Sequence, residues 1–258
     1  MRAHRVVAVV ATLALGVGLA AAARAADDPA PRLTVSVAAS LRDVIGGPIV
    51  DAFRAAHPGV EVLVNAGASG LLARQIEDGA PVDVFVSAGW PEVERLRAKG
   101  LVAGEPVVVA RNRLVVIVPA GSRWVTAEPR AILAAPDVRI ASGDPATVPF
   151  GAYARDALLA AGLWDAVRPR LVFAIDVRQA LTYAEQGAVD AAIVYATDAR
   201  IARRARPVGE VPGAAGLRIE TVAVRISRAR GALAGDFLAA MRGPAARAAL
   251  DAAGFLPP

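Results

Sequence analysis

Apolar, β-branched runs alternate along the first part of the chain with amphipathic stretches of helical spacing. Strands are predicted at Leu33–Val37, Val60–Val64 and Val84–Ser87, with helices over about 41–56 and 70–78 between them and a further helix that begins at Pro91. Strand–helix alternation at this spacing is typical of a parallel sheet with helices on both faces. The pattern therefore predicts an α/β fold.

Two long extended runs interrupt the alternation. The first consists of Pro106–Ala110 and Arg113–Val118, and the second is Leu217–Ile226. Between and after these runs, the pattern predicts strands near Val138–Ala141, Leu171–Phe173 and Ala191–Val194, and helices over about 151–161, 177–187, 231–241 and 244–252. An extended segment of this length can pass from one lobe to another.

We therefore predict two lobes with a ligand cleft between them and a double-stranded hinge near 108–113 and 218–224. Lobe I would comprise residues 26–110 and 220–258, the C-terminal helices included, and lobe II would comprise residues 111–219.

The first 25 residues have the pattern of a secretory signal peptide. Arg2 and Arg5 precede an uncharged apolar run, Val6–Ala22, and Ala23-Arg24-Ala25 has the small-residue pattern of a cleavage site. A membrane anchor is the alternative, but the run is of marginal length to span a bilayer. We expect residues 1–25 to be removed on export.

Charge and cysteine content narrow the class of partner. The net charge of +5 falls to +2 without residues 1–25, which contain three arginines and no acidic residue. The remaining arginines are scattered apart from a group at 200–206, which fits a solvated helix face better than a phosphate track, so no nucleic-acid partner is expected. The chain has no cysteine, so it can form no disulfide, and we expect that its N-terminus carries no lipid anchor.

Catalytic and metal-binding constellations lack parts. Of the two histidines, His4 leaves with the predicted signal peptide and His57 lies before a Pro-Gly turn. A Ser-His triad or a histidine/cysteine cation site is therefore not expected. The glycine-rich segment Gly67–Gly70 lacks the lysine of a P-loop.

Features that bind anions are more frequent. Ser40 and Ser69 each follow a predicted strand and open a helix, Val148–Gly151 opens a third helix, and Asp176 stands where it can cap a fourth. Each serine is either a cap for its own helix or a donor to an anion. Helix N-termini at the carboxyl ends of strands are where open α/β sheets bind ligands, so several of them together favour an oxyanion site.

An ordered set of segments resembles the periplasmic molybdate-binding proteins, the substrate-binding components of molybdate ABC importers. The segments are Ala38–Leu41, Gly67–Ile76, Gly79–Ala88, Gly143–Pro145 with Val148–Ala154, Asp176–Leu181 and Ile193–Asp198. They occur in the family's order over essentially the whole chain after residue 25. The resemblance implies a two-lobed, type II-like periplasmic binding protein that closes on its ligand, with no cofactor and no catalysis.

The resemblance also implies a ligand set. Ser40 and Ser69 would donate through hydroxyl and backbone N–H groups, Phe150 and Val177 through backbone N–H groups, and Tyr195 through its phenol. Molybdenum would be held only as the oxyanion, with no cation site. Tungstate would bind comparably, a membrane permease would receive the anion in the periplasm, and the protein would be a monomer.

The chain departs from the family pattern at two places. Phe150 stands where small residues are frequent, so its ring must point away from the ligand or cover it. Gly46-Gly47-Pro48 predicts a kink in the helix after Ser40, because proline removes a helical hydrogen bond. Arg74 and Arg178 follow helix starts near the site and are expected to point to solvent or to a carboxylate rather than to the ligand.

Three alternatives stay open at this point. A binding protein for sulfate or another tetrahedral oxyanion has the same fold and donors. A secreted serine hydrolase would need a base, for which only His57 is available. A ligand-sensing domain of a transcription factor shares the two-lobed fold, but a signal peptide argues against it.

Overall fold

The structure is a computed structural model that describes residues 30–229 and 231–258. The predicted signal peptide, residues 1–25, lies outside the described residues. The strands are β1 (Arg32–Ala38), β2 (Glu61–Gly67), β3 (Val84–Ser87), β4 (Val102–Asn112), β5 (Leu114–Pro119), β6 (Ile140–Gly143), β7 (Leu171–Ala174), β8 (Ala191–Tyr195), β9 (Ala205–Glu210) and β10 (Ile219–Ile226).

The helices follow most of the predicted amphipathic stretches. They are α1 (Arg42–Val44), α2 (Val50–Ala56), α3 (Ser69–Glu77), α4 (Trp90–Ala98), α5 (Pro129–Ala134), α6 (Pro149–Ala160), α7 (Trp164–Val167), α8 (Val177–Glu185), α9 (Ala196–Arg200), α10 (Leu233–Met241) and α11 (Pro244–Ala253). In the described part of the chain, no helix combines the length and the apolar character that crossing a bilayer requires.

Two five-stranded sheets form the centres of the two lobes, so the α/β class and the two-lobed architecture are confirmed. The first sheet has the order β2-β1-β3-β10-β4, and the second has the order β7-β6-β8-β5-β9. Strands β1, β2 and β3 are parallel, as are β6, β7 and β8. The core of each lobe is mostly aliphatic and lies between its sheet and the helices packed on it.

The expectation of parallel sheets is wrong for the strands next to the crossings. Strand β10 is antiparallel to β3 and β4, and β5 is antiparallel to β8 and β9. A parallel pair needs a crossover connection, usually a helix, whereas these strands join the two sheets directly through extended chain. Both sheets are therefore mixed.

The chain crosses between the sheets at two neighbouring places. Only Arg113 separates β4 of the first sheet from β5 of the second. The return crossing runs from the end of β9 to the start of β10, where Ile219 is paired with Asn112. The two crossings thus lie side by side, as a double-stranded hinge requires, while the residue bounds proposed for the lobes stay a prediction.

The predicted kink after Ser40 is confirmed. Residues Ala39–Leu41 form a 3₁₀ turn, and a π-helical segment, Ile45–Ile49, separates α1 from α2. Gly47 has φ −103° and ψ −107°, outside the helical region, directly before Pro48. Proline removes a hydrogen bond and forces the ladder to change its spacing.

The C-terminal helices pack on this irregular helix. The Phe53 ring of α2 meets the Phe237 ring of α10 edge to face, with centroids 5.1 Å apart. Both rings are fully buried. The helices after β10 therefore cover the first sheet's lobe.

Several short elements lack a clear pattern in the sequence. They are α5, α7, α9 and β9. Strand β9 lies at a sheet edge, contains Pro207 and exposes Arg206, so its residues show no apolar alternation. Edge strands tolerate proline, which is why this segment forms a strand without the usual signal.

Candidate functional site

A small cavity of ≈ 20 Å³ lies between the two lobes. Its lining residues are Ala38, Ala39, Ser40, Gly67, Ala68, Ser69, Ala88, Val148, Pro149, Phe150, Asp176, Val177 and Tyr195. All five residues predicted to bind the ligand are among them. A cavity of this size suits one compact anion and not a sugar or a nucleotide, which need hundreds of cubic ångströms.

Ser69 is the first residue of α3 and is almost fully buried. Its Oγ accepts a hydrogen bond of 3.2 Å from the backbone N–H of Ala88. Because that bond uses an oxygen lone pair, the hydroxyl proton is left to donate elsewhere. The first N–H groups of α3 also lack partners within the helix, so this end of the helix presents donors to the cavity.

Ser40 reaches the cavity from a different local structure. It lies in the 3₁₀ turn directly after β1 and is 6% exposed. The cap positions before the two serines are held by Ala38 and Ala68, and neither makes a side-chain capping bond. The serines therefore stand inside their helical turns rather than at the cap, which leaves their hydroxyls free of that structural role.

Phe150 is the second residue of α6, after Pro149. Proline has no N–H, so the first N–H of this helix belongs to Phe150, while those of Gly151 and Ala152 bond to the carbonyl of Val148. The Phe150 ring packs against Gly143, where an added Cβ would lie 2.7 Å from its Cε1. The ring also meets Tyr195 edge to face, with centroids 6.3 Å apart, so it packs within its own lobe, lobe II.

Val177 begins α8, and Asp176 caps this helix as predicted. The Asp176 carboxylate accepts a 2.9 Å bond from the backbone N–H of Gln179. The N–H of Val177 precedes the first intrahelical bonds, and Val177 is one of the residues that line the cavity. Asp176 lines the cavity as well, which the sequence did not predict, and its capping bond engages one oxygen of the carboxylate.

Tyr195 ends β8 and is 2% exposed. Its hydroxyl donates a long hydrogen bond of 3.5 Å to the carbonyl oxygen of Ala88, which belongs to the other lobe. Burial, and the nearby Tyr153 phenol, raise the pKa of Tyr195 well above its ordinary value. The phenol therefore stays protonated, and a donor, at neutral pH.

Ala88 also lines the cavity and was not predicted from the sequence as a site residue. Its N–H bonds to Ser69 of its own lobe, and its carbonyl accepts from Tyr195 of the other. Ala88 acts through its backbone, so its residue type carries no chemical signal. The signal that could have found it is its place directly after β3, at the end of the segment Gly79–Ala88.

The lobes are in direct contact around the cavity. A Cβ added to Gly70 of lobe I would lie 2.0 Å from the carbonyl oxygen of Thr147 of lobe II. One added to Gly89 would lie 3.2 Å from the Tyr153 hydroxyl. The cleft is thus closed, and glycine at position 70 is what allows the backbones to approach.

The two arginines near the site are not among the cavity's lining residues. Arg74 is exposed on α3. Arg178 forms ion pairs with Asp43, at 2.9 Å, and with Asp198, at 2.7 Å. Both arrangements agree with the expectation that these side chains meet solvent or carboxylates.

The lining thus combines hydroxyl, phenol and backbone N–H donors with no lysine or arginine. Within residues 30–229 and 231–258, no group of three histidine, cysteine or acidic side chains could hold a metal ion. Chemically, this arrangement can bind an anion that only accepts hydrogen bonds.

Comparisons with known proteins agree with this geometry. A family model described as bacterial extracellular solute-binding protein matches residues 33–256. The molybdate-binding protein ModA of Haemophilus influenzae is 37% identical over 206 residues, which is 78% of each chain.

Solved structures extend the comparison. The periplasmic molybdate-binding protein of Azotobacter vinelandii has a TM-score of 0.75 and 29% identity, over 88% of this chain and 99% of that one. The sulfate-binding protein SubI of Mycobacterium tuberculosis has a TM-score of 0.78, over 88% of this chain and 87% of that one. Its identity is 19%, so this likeness concerns the fold alone.

Proposed function

Since the chain belongs to the bacterial extracellular solute-binding protein family, we propose that it binds molybdate in the periplasm and delivers it to the membrane permease of an ABC importer. The molybdate-binding relatives support the choice of ligand. Binding would involve no cofactor and no chemical conversion. Residues 1–25 would direct export, and the protein would act as a monomer.

The observation that carries this proposal is the convergence of five predicted donors on one cavity. Ser40 and Ser69 reach it from lobe I, and Phe150, Val177 and Tyr195 reach it from lobe II. Molybdate is fully deprotonated near neutral pH, so all its oxygens accept and none donates. Each helix N-terminus adds favourable potential of about 0.3–1 kcal/mol, and more where the site is buried.

The same donor set would select among oxyanions. Protonated phosphate carries an O–H that needs an acceptor, and an unpaired buried donor is penalised by about 1–3 kcal/mol. Sulfate has the charge of molybdate but shorter bonds, so donors fixed by helix ends would hold it less closely. Tungstate nearly matches molybdate in size and would bind comparably.

Calorimetric titration of the exported protein with molybdate, tungstate, sulfate and phosphate tests the proposal. We expect tight binding of molybdate and tungstate, weak binding of sulfate and none of phosphate. Sulfate binding tighter than molybdate would overturn the assignment in favour of a sulfate-binding protein. Release of product from a generic ester, lost in Ser40→Ala, would instead indicate a hydrolase.

A further inference from the structure

Arg178 connects the two chain segments that bring Ser40 and Val177 to the cavity. Arg178 directly follows Val177 in α8, and its Nη2 lies 2.9 Å from Oδ2 of Asp43. Asp43 follows Ser40 by three residues, on the other lobe. The ion pair therefore spans the cleft directly beside the cavity.

A buried carboxylate fixes the lobe II end of this bridge. Arg178 Nε lies 2.7 Å from Oδ1 of Asp198, whose side chain is fully buried in α9. The Arg178 side chain is 24% exposed and that of Asp43 is 63% exposed. Because Asp198 already restrains the Arg178 guanidinium, little further side-chain entropy is lost when the guanidinium pairs with Asp43. The pair can therefore stabilise the closed form although it is partly exposed.

The other lobe contacts around the cavity are uncharged. They are the approach of Gly70 to Thr147, that of Gly89 to Tyr153, and the bond from Tyr195 to Ala88. Among the ion pairs of the described residues, only the one from Arg178 to Asp43 joins the lobes away from the hinge strands. A further cationic contact, from the Arg200 guanidinium to the carbonyl oxygen of Ala252 at 3.5 Å, also joins the lobes. The pair of Arg178 with Asp43 is therefore the interlobe contact between opposite charges through which charge can influence closure.

We propose that Arg178 and Asp43 form an interlobe latch that stabilises the closed protein around its ligand, an inference that rests on the proposed function. Arg178 is a positioning residue: it does not touch the anion but holds the N-terminus of α8 opposite the turn of Ser40. When the lobes separate, Asp43 moves away and Arg178 keeps Asp198. The latch thus adds to affinity only in the closed form.

The Asp43→Asn variant removes the latch with a minimal change in shape. Because the pair is partly exposed, we expect molybdate affinity to fall about two- to five-fold at about 0.01 M salt. The deficit should vanish at about 1 M salt, where the wild-type pair is screened as well.

Asp51→Asn is the matched control. Asp51 lies on the same lobe, its side chain is 73% exposed, and it pairs only within its own helix, with Arg54 at 3.9 Å. It produces the same change in net charge, so a general electrostatic effect on anion binding would appear in both variants. Only Asp43→Asn should show the additional loss.

The remaining members of the network provide a second comparison. Arg178→Gln alone would leave the Asp198 carboxylate buried without its cation and could unfold the protein. The double variant Arg178→Gln/Asp198→Asn removes both charges together. In that background, we expect Asp43→Asn to have no effect on affinity.

Fluorescence energy transfer gives a readout that does not depend on ligand affinity. Because the chain has no cysteine, Glu94→Cys on lobe I and Ala166→Cys on lobe II can be labelled selectively. Both positions are exposed. We expect Asp43→Asn to lower the closed fraction relative to Asp51→Asn.

The outcomes separate the two proposals. If the wild type binds molybdate and Asp43→Asn equals Asp51→Asn in both affinity and transfer, the latch is wrong and the proposed function stands. If the wild type does not bind molybdate, the proposed function is wrong. The latch is then decided by the ligand-free protein: unchanged transfer in Asp43→Asn overturns it, and a lowered closed fraction supports it.

Discussion

Ser40 and Ser69 occupy equivalent places in the chain and are held in opposite ways. Ser69 begins a regular helix and is fixed by a bond from Ala88. Ser40 lies in a 3₁₀ turn that leads into a π-helical segment, and the nearest charged contact is three residues on, at Asp43. One serine is thus held by uncharged backbone contacts, and the other belongs to a segment braced by an ion pair. The same chemical group can be positioned by either means, with different sensitivity to pH, salt and mutation.

We expect the largest effect from removing the buried carboxylate of Asp198, which pairs with Arg178 on the Ser40 side. The quantity that should change is the pH dependence of the free energy of unfolding. Burial raises the pKa of Asp198 to about 7, although Arg178 opposes the shift. A carboxyl whose pKa is raised in the folded state binds its proton more tightly there, so its contribution to stability falls as pH rises from about 4 to about 7. We expect this decline, on the order of 2–4 kcal/mol, to be absent from Asp198→Asn in chemical denaturation across that range.

The control for this measurement is Asp51→Asn, which also removes one carboxylate. Glu92, whose pKa burial also raises, is present in all three proteins, so its contribution cancels in the comparison. Parallel pH profiles for the wild type and Asp198→Asn would contradict the prediction.

Closure on the Ser69 side should fail when a methyl group is added to Gly70. The new Cβ would lie 2.0 Å from the Thr147 carbonyl oxygen, and backbone atoms cannot move aside as a side chain does. We expect Gly70→Ala to weaken molybdate binding by about 2–3 kcal/mol in calorimetric titration. Gly46→Ala, on the Ser40 side, meets only a Val64 methyl group at 3.9 Å and should bind normally. Equal affinities for the two variants would show that the lobes do not meet at Gly70 in the bound form.

The two hydroxyls should differ in their contribution to binding. Ser69→Ala removes a proposed donor to the anion and also leaves the buried N–H of Ala88 without its acceptor, so we expect a loss of about 1–3 kcal/mol in affinity. Ser40→Ala removes a donor only, and its loss should be about 1 kcal/mol. The measurement is calorimetric titration with molybdate, and unchanged affinity in Ser69→Ala would remove this residue from the site.

Much of the fold was readable because its signals are local. Apolar runs marked most of the strands, and Gly46-Gly47-Pro48 marked the kink, since proline disturbs any helix that contains it. The antiparallel strands were not readable, because direction depends on how the chain crosses between sheets. Strand β9 was not predicted, because an edge strand with proline and arginine has no apolar alternation.

The same difference between local and long-range relations applies to the residues of the candidate site. Asp176 was predicted as a cap from its position before α8, a relation between near neighbours in sequence. Ala88 was missed because its contribution is purely backbone, and its two partners are 19 and 107 residues away. The partners of Arg178 were equally hidden, since sequence indicates that a side chain is charged but not which carboxylate the fold brings to it.

The approach of Gly70 to Thr147 gives the molecule a mechanical stop. Where lobes meet through side chains, their separation adapts to what lies between them. Here main chain meets main chain, so the lobes cannot come closer at this point without a clash. An anion larger than the gap would keep the lobes from reaching this contact, and a smaller anion would lie too far from the donors at the helix ends. The cleft would then select anions by size, because the extent of closure would depend on the size of the anion between the lobes.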